Sequence, residues 1–190
     1  MKIIIVAFDK FTDIDVFLAW DLFNRARFRH KDISVKIVAI KGEIISVSGM
    51  RTIVQGTIEE ANTADVVYFV SGPGTRDFIK NQRLLDLLKL DPTKQIICSM
   101  CSGSLILAKL GLLSGMQATT YPNAVEQMKS HGVEIVNKSL VINGNIATAA
   151  GCLAGVELIG WIIEKLFGKK LRDEVITSVQ PVGHGLELVQ

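Results

Sequence analysis

Cysteine, proline, histidine and tyrosine are scarce in this chain: 190 residues hold three Cys, four Pro, three His and two Tyr. An odd number of cysteines without dense spacing excludes a disulfide framework and fits a reducing, cytoplasmic compartment. Neither the cysteines nor His30, His131 and His184 show metal-ligand spacing, so no metal and no other cofactor is expected. Charge of one sign is also missing. The net charge is +2, from 21 basic and 19 acidic residues. The basic residues are scattered, and the one cluster, Arg25 to Lys31, reads as a solvated helix end, which gives no reason to expect nucleic acid. No apolar run approaches the roughly 18–20 residues of a membrane span. The apolar start Ile3–Val6 is too short for a signal peptide and ends at Asp9 and Lys10. Gly72-Pro73-Gly74 lacks the third glycine and the helix spacing of a nucleotide fingerprint. Repeats, linkers and low-complexity segments are absent, so residues 1–190 read as a single domain.

What is present is a regular alternation. Ile3–Phe8, Ser34–Ile40, Asp65–Ser71 and Gln95–Ser99 are short β-branched or apolar runs, as strands buried on both faces require. Helical spacing marks the stretch after Thr12, with Ile14, Phe17, Leu18, Leu22 and Phe23, and the segments Gln82–Leu90, Ser104–Leu113, Ala124–His131, Cys152–Phe167 and Leu171–Val179. Glu43–Gln55 reads as a hairpin or two short edge strands, and Asn143-Gly144 is a hairpin turn. Strands alternating with helices predict a flavodoxin-like three-layer α/β/α sandwich with a mostly parallel sheet. Ligands of such sheets bind beyond the carboxyl ends of the strands. The loops 8–15, 71–76 and 99–104 are therefore the ones to read for function.

The last of these loops contains Cys98-Ser99-Met100-Cys101. Cys98 lies within a strand and is expected to be buried. A thioredoxin-like pair needs its first cysteine exposed at a helix start, so this spacing does not fit it. Cys101 follows the strand and precedes Ser102-Gly103-Ser104 and a helix. Strand, sharp turn and helix with small residues have the mechanics of a nucleophile elbow. Alone, the pattern reads equally well as a small residue in a tight turn.

The wider pattern resembles the ThiJ/PfpI superfamily, relatives of class I glutamine amidotransferases, and within it the branch of isocyanide hydratases and the amidotransferase-like domains of AraC-type regulators. The residues that carry the resemblance are Cys101-Ser102-Gly103, Gly111-Leu112-Leu113, Ala118-Thr119-Thr120, the segments "FTDIDVFLAWDLF" and "VSGPGT", and "TAAGCLAGVELIGWII". The resemblance implies that Cys101 is the reactive nucleophile and Asp15 the acidic group beside it. It also implies an oxyanion and substrate-binding set of Gly72, Gly74, Ser102 and Tyr121, a small-molecule substrate and a homodimer. A helix near 13–28, rich in Phe and Trp, is the candidate dimer contact.

The chain departs from the pattern at Pro73, which removes a donor from the oxyanion loop, and at Tyr121, which stands where many relatives have His. A tyrosine, with an ordinary pKa of about 10, is no general base near neutrality. The implied activity is therefore cysteine-dependent hydration or hydrolysis of a small molecule, with isocyanide hydration to an N-formamide as the concrete form. A protease or amidase of the Cys-His kind and a non-catalytic redox-sensing or binding domain are the alternatives.

Overall fold

The computed structural model of the chain describes residues 1–187. Its centre is a seven-stranded sheet in the order β10-β11-β7-β6-β1-β2-β5. Here β1 is Lys2–Val6, β2 Ser34–Ala39, β5 Gly56–Thr57, β6 Val66–Phe69, β7 Ile96–Met100, β10 Leu140–Asn143 and β11 Ile146–Ala149. Every pairing is parallel except that of β10 with β11, which the Asn143-Gly144 turn joins as a hairpin. The β-branched run behaves as its composition requires: Ile3, Ile4, Ile5 and Val6 are at most 1% exposed, covered on both faces. Each such side chain contributes roughly 1.5–3 kcal/mol by leaving water.

Helices cover both faces. On one side α1 (Asp13–Arg29), α6 (Ala154–Phe167) and α7 (Lys169–Thr177) pack together. The other layer holds α2 (Thr75–Lys80), α3 (Gln82–Asp86), α4 (Ser104–Lys109) and α5 (Val125–Ser130). Two small ribbons complete the chain: antiparallel β3 (Glu43–Ile45) with β4 (Arg51–Ile53), and parallel β8 (Gln117–Ala118) with β9 (Glu134–Ile135). The flavodoxin-like α/β/α sandwich with a mostly parallel sheet is thus the fold observed. Among the described residues no helix is long and apolar enough to cross a membrane.

Three element boundaries differ from the sequence expectation in ways that matter for the site. The fourth central strand runs one residue further, to Met100, so Cys101 leaves the sheet directly. The helix expected to begin at Cys152 begins at Ala154, because Gly151 has φ +88° and turns the chain before the helix starts. Cys152 is therefore a turn residue that precedes the helix. The short helix α2, immediately after Gly72-Pro73-Gly74, was not expected at all, because six residues are too few to show a period.

Candidate active site

Cys101 has φ +44°, one of two non-glycine residues with positive φ in the described chain. A left-handed conformation costs an L-residue about 1–2 kcal/mol, so the surroundings must impose it. They do so from three sides. The carbonyl oxygen of Cys101 lies 3.0 Å from Ser104 Oγ and 3.2 Å from Thr120 Oγ1, and these hydroxyls are 2.7 Å from each other. The turn is also pressed against the end of β6: a Cβ on Gly103 would stand 2.5 Å from the Val70 carbonyl oxygen. Only glycine fits there. The thiol is thereby held above the carboxyl end of the sheet, 4% exposed.

The loop after β6 and the loop before α1 interlock beside it. Thr12 N–H donates to the Ser71 carbonyl at 2.8 Å, and Gly74 N–H to the Lys10 carbonyl at 3.3 Å. Gly72 and Gly74 permit this approach, since a Cβ on either would fall 2.3 Å from Lys10 O or 1.9 Å from Asp9 O. The amide of Gly74 is accordingly engaged, and Gly74 stays behind the cavity wall, whereas Gly72 lines it.

The same interlock delivers Asp15, a fully buried residue in the first turn of α1. Ser71 Oγ donates to Asp15 Oδ2, and Oδ1 is buried with no partner. Burial raises the Asp15 pKa above the ordinary carboxylate value, against the hydroxyl of Ser71 and the thiol of Cys152, which pull it down. The Asp15 carboxylate and the sulfurs of Cys101 and Cys152 lie within 4.8 Å of one another. Burial, then the charge of Asp15, pushes the Cys101 thiol up, while the Gly151 backbone, Cys152 and Ser71 act to lower it. Cys152, half-buried, is pushed up to about 12, first by burial and then by Asp15. Cys98 is fully buried, with Sγ 3.5 Å from the Val67 carbonyl, and burial alone raises its pKa far above the ordinary thiol value.

Cys101 and Cys152 line a cavity of about 430 Å³, whose wall also includes Gly72, Pro73, Arg76, Ser102 and Tyr121, while Asp15 is fully buried and does not line it. Arg76 is tethered by Nη2 to the carbonyl and side-chain oxygens of Asn123, at 3.1 and 3.2 Å. Of the residues expected from the sequence, Cys101 and Asp15 meet, and Gly72, Ser102 and Tyr121 line the same cavity. Gly74 supports the loop from behind. His184 is exposed in the tail turn and does not line the cavity.

Sequence reasoning missed Ser71, Arg76 and Cys152. For Cys152 a signal existed, in the turn-forming glycine just before it. Its distance in sequence from Asp15 and Cys101 concealed the convergence, and with it the one set of Cys and carboxylate groups among the described residues close enough to share a metal ion. Two thiols and one carboxylate fall short of the four ligands of a structural zinc centre.

A cysteine on a strained strand-to-helix turn, with a buried carboxyl beside it, defines the class of α/β proteins built around a sulfur elbow. The particular family follows from comparison: the profile of the DJ-1/PfpI family matches residues 1–165, and the chain belongs to that family. It is 31% identical over 131 residues to the uncharacterized protein MJ0967 of Methanocaldococcus jannaschii, covering 65% of this chain and 64% of that protein. It is 27% identical over 126 residues to the isonitrile hydratase of Pseudomonas putida, covering 66% of this chain and 55% of that protein. The chain thus spans less than two thirds of the length of either relative. A ThiJ/PfpI family protein from Pseudomonas syringae has the same fold, with a TM-score of 0.84 at 21% identity over 95% of this chain and 76% of that one. The family also includes deglycases and a transcriptional regulator.

Proposed function

We propose that the chain is a cysteine-dependent hydratase of small molecules, with isocyanide hydration as the reaction. The observation that supports this reading is the meeting of Cys101, on the wall of the cavity, with the buried Asp15 beside it, where no imidazole lines the cavity among the described residues. The chemistry then needs only a thiol and a carboxyl. The Cys101 thiolate attacks the terminal carbon of R–N≡C, forming a C–S bond, and the Asp15 carboxyl delivers a proton to the resulting anion. Water adds to the thioimidate carbon, giving its proton back to Asp15. The C–S bond then breaks, and R–NH–CHO leaves. Asp15 Oδ1, which has no hydrogen-bond partner, is the oxygen free to carry that proton. The lack of an imidazole also weighs against the protease and amidase alternative.

The test is formation of an N-formamide from a simple alkyl isocyanide, wild type against Cys101→Ala. Turnover in the wild type that disappears in the variant supports the reading, and equal rates in both sink it. The same reading carries a homodimer, with α1 as the contact. Phe28, 72% exposed near the end of α1, is available for it, whereas Phe23 belongs to the core. Sedimentation of the wild type as a monomer would remove that part.

A further inference from the structure

Cys152 has no task in the hydration chemistry, yet its sulfur is packed against the two groups that do the work. We propose that Cys152 is the resolving thiol of Cys101: a hydroperoxide drives the two into an intramolecular disulfide that caps the nucleophile until a dithiol reopens it. The inference rests on the reading of Cys101 as the reactive thiol.

The geometry supplies a fixed partner and a yielding one. A disulfide needs sulfurs about 2.05 Å apart. From separations of up to 4.8 Å, one side chain must swing toward the other. Cys101 is held by its carbonyl contacts and by Gly103, which is wedged against Val70. Cys152 sits in the open turn between β11 and α6. The Cβ position of Gly151 has nothing within 4 Å, and the neighbouring Leu153 is 75% exposed. Rotation and a small shift of this turn carry the Cys152 sulfur forward. Both cysteines line the cavity, so a small hydroperoxide reaches them together. Cys98 is no competitor, because it is fully buried against Val67 and does not line the cavity.

The chemistry balances with hydrogen peroxide as oxidant. The Cys101 thiolate attacks one peroxide oxygen, the O–O bond breaks, an S–O bond forms, and hydroxide leaves as water with the thiol's proton. The sulfur of Cys152 then attacks the sulfur of the Cys101 sulfenic acid. The S–S bond forms, the S–O bond breaks, and the departing hydroxyl takes the Cys152 proton, relayed by the Asp15 carboxyl, as a second water. Two thiols lose two electrons and one peroxide gains them. Without the second thiol, the sulfenic acid would be open to further oxidation to the irreversible sulfinic acid.

The experiment is peroxide treatment of the intact protein at small molar excess, followed by peptide mapping without reductant. The expected product is a Cys101–Cys152 cross-linked peptide, about 2 Da lighter than the two thiol peptides together and lost on adding dithiothreitol. Iodoacetamide labelling of Cys101 should fall about tenfold on oxidation and return on reduction. In Cys152→Ser, and in Cys152→Ala should the first variant unfold, Cys101 should pass to the sulfinic acid, about 32 Da heavier, and not recover. Sulfinic acid at Cys101 in the wild type with no cross-link would overturn the proposal while leaving Cys101 the reactive thiol. Iodoacetamide and peroxide that both leave Cys101 untouched would overturn the proposal together with the reading of Cys101 on which it rests.

Discussion

Asp15 and Ser71, 56 positions apart, are joined by a hydroxyl that donates to one carboxyl oxygen and leaves the other bare in the core. The bond favours the ionised carboxyl, while burial favours the protonated one and is the larger influence. Ser71 also lowers the Cys101 thiol. Ser71→Ala therefore moves both groups upward. The pH profile of isocyanide turnover should shift to higher pH on its acid and alkaline limbs together. A profile that keeps its position while losing height would show that Ser71 acts on the fold and not on the titration.

Asp15→Asn separates acidity from catalysis. Removing the carboxylate charge removes a group that raises the Cys101 pKa, leaving burial as the main cause of its elevation. The pH midpoint of Cys101 alkylation by iodoacetamide should fall. Turnover should fall as well, by about 10²–10⁴-fold, the usual contribution of a proton donor in place. A variant that both alkylates and turns over as the wild type does would leave Asp15 without a role in the reaction.

The glycines of the site carry a stability prediction with an internal control. Gly103→Ala forces a Cβ to within 2.5 Å of the Val70 carbonyl, a backbone atom that cannot step aside. The cost should be about 3 kcal/mol or more, read as a lower urea midpoint. Gly111→Ala meets nothing within 4 Å and strains only a φ of +76°, so it should cost about 1–2 kcal/mol. Equal losses at the two positions would mean that the elbow is looser than its contacts.

Alkaline stability should follow the buried thiols. The Cys152 pKa rises from an ordinary 9.0 to about 12 in the folded chain. A raised folded pKa means that the contribution is whole below the unfolded value and is lost as pH climbs from there toward the folded one. The thermal midpoint should therefore decline as pH rises from about 9 toward 12, and Cys152→Ser should make that decline shallower without abolishing it, because burial of Cys98 acts in the same direction. An unchanged slope would show that Cys152 ionises as freely folded as unfolded.

Legibility in the sequence followed the range of the interactions involved. The central strands could be read because burial on both faces forces an unbroken apolar run, as in Ile3–Phe8, and the elbow because strand, turn and helix adjoin within ten residues of Cys101. The resemblance pointed to Asp15, and burial of Cys98 came from its place in the strand. The Ser71 hydroxyl on Asp15 and the approach of Cys152 to Cys101 could not be read. Each joins residues from different segments that follow the carboxyl ends of β1, β6, β7 and β11, and only the order of strands in the sheet brings those segments together. Gly74 shows the converse: the motif was visible and its meaning was not, because the carbonyl that occupies its amide belongs to Lys10.

Arg76 sets the last expectation. Arg76 lines the cavity, half-buried, and Asn123 holds one end of its guanidinium through neutral oxygens. Among the described residues no carboxylate pairs with it, although the chain forms many exposed ion pairs elsewhere. A planar cation with donors to spare, facing a cavity of about 430 Å³, favours a substrate that brings its own anion. Isocyanides bearing a carboxylate a few bonds from the reacting carbon should therefore show a KM about tenfold lower than neutral ones of the same size, the scale of one partly exposed charge-assisted contact. Arg76→Ala should erase that preference and leave the neutral substrates, and kcat for both, nearly unchanged. Loss of kcat for neutral and charged substrates alike would mean that Arg76 holds the Asn123 wall in place and does not read the substrate.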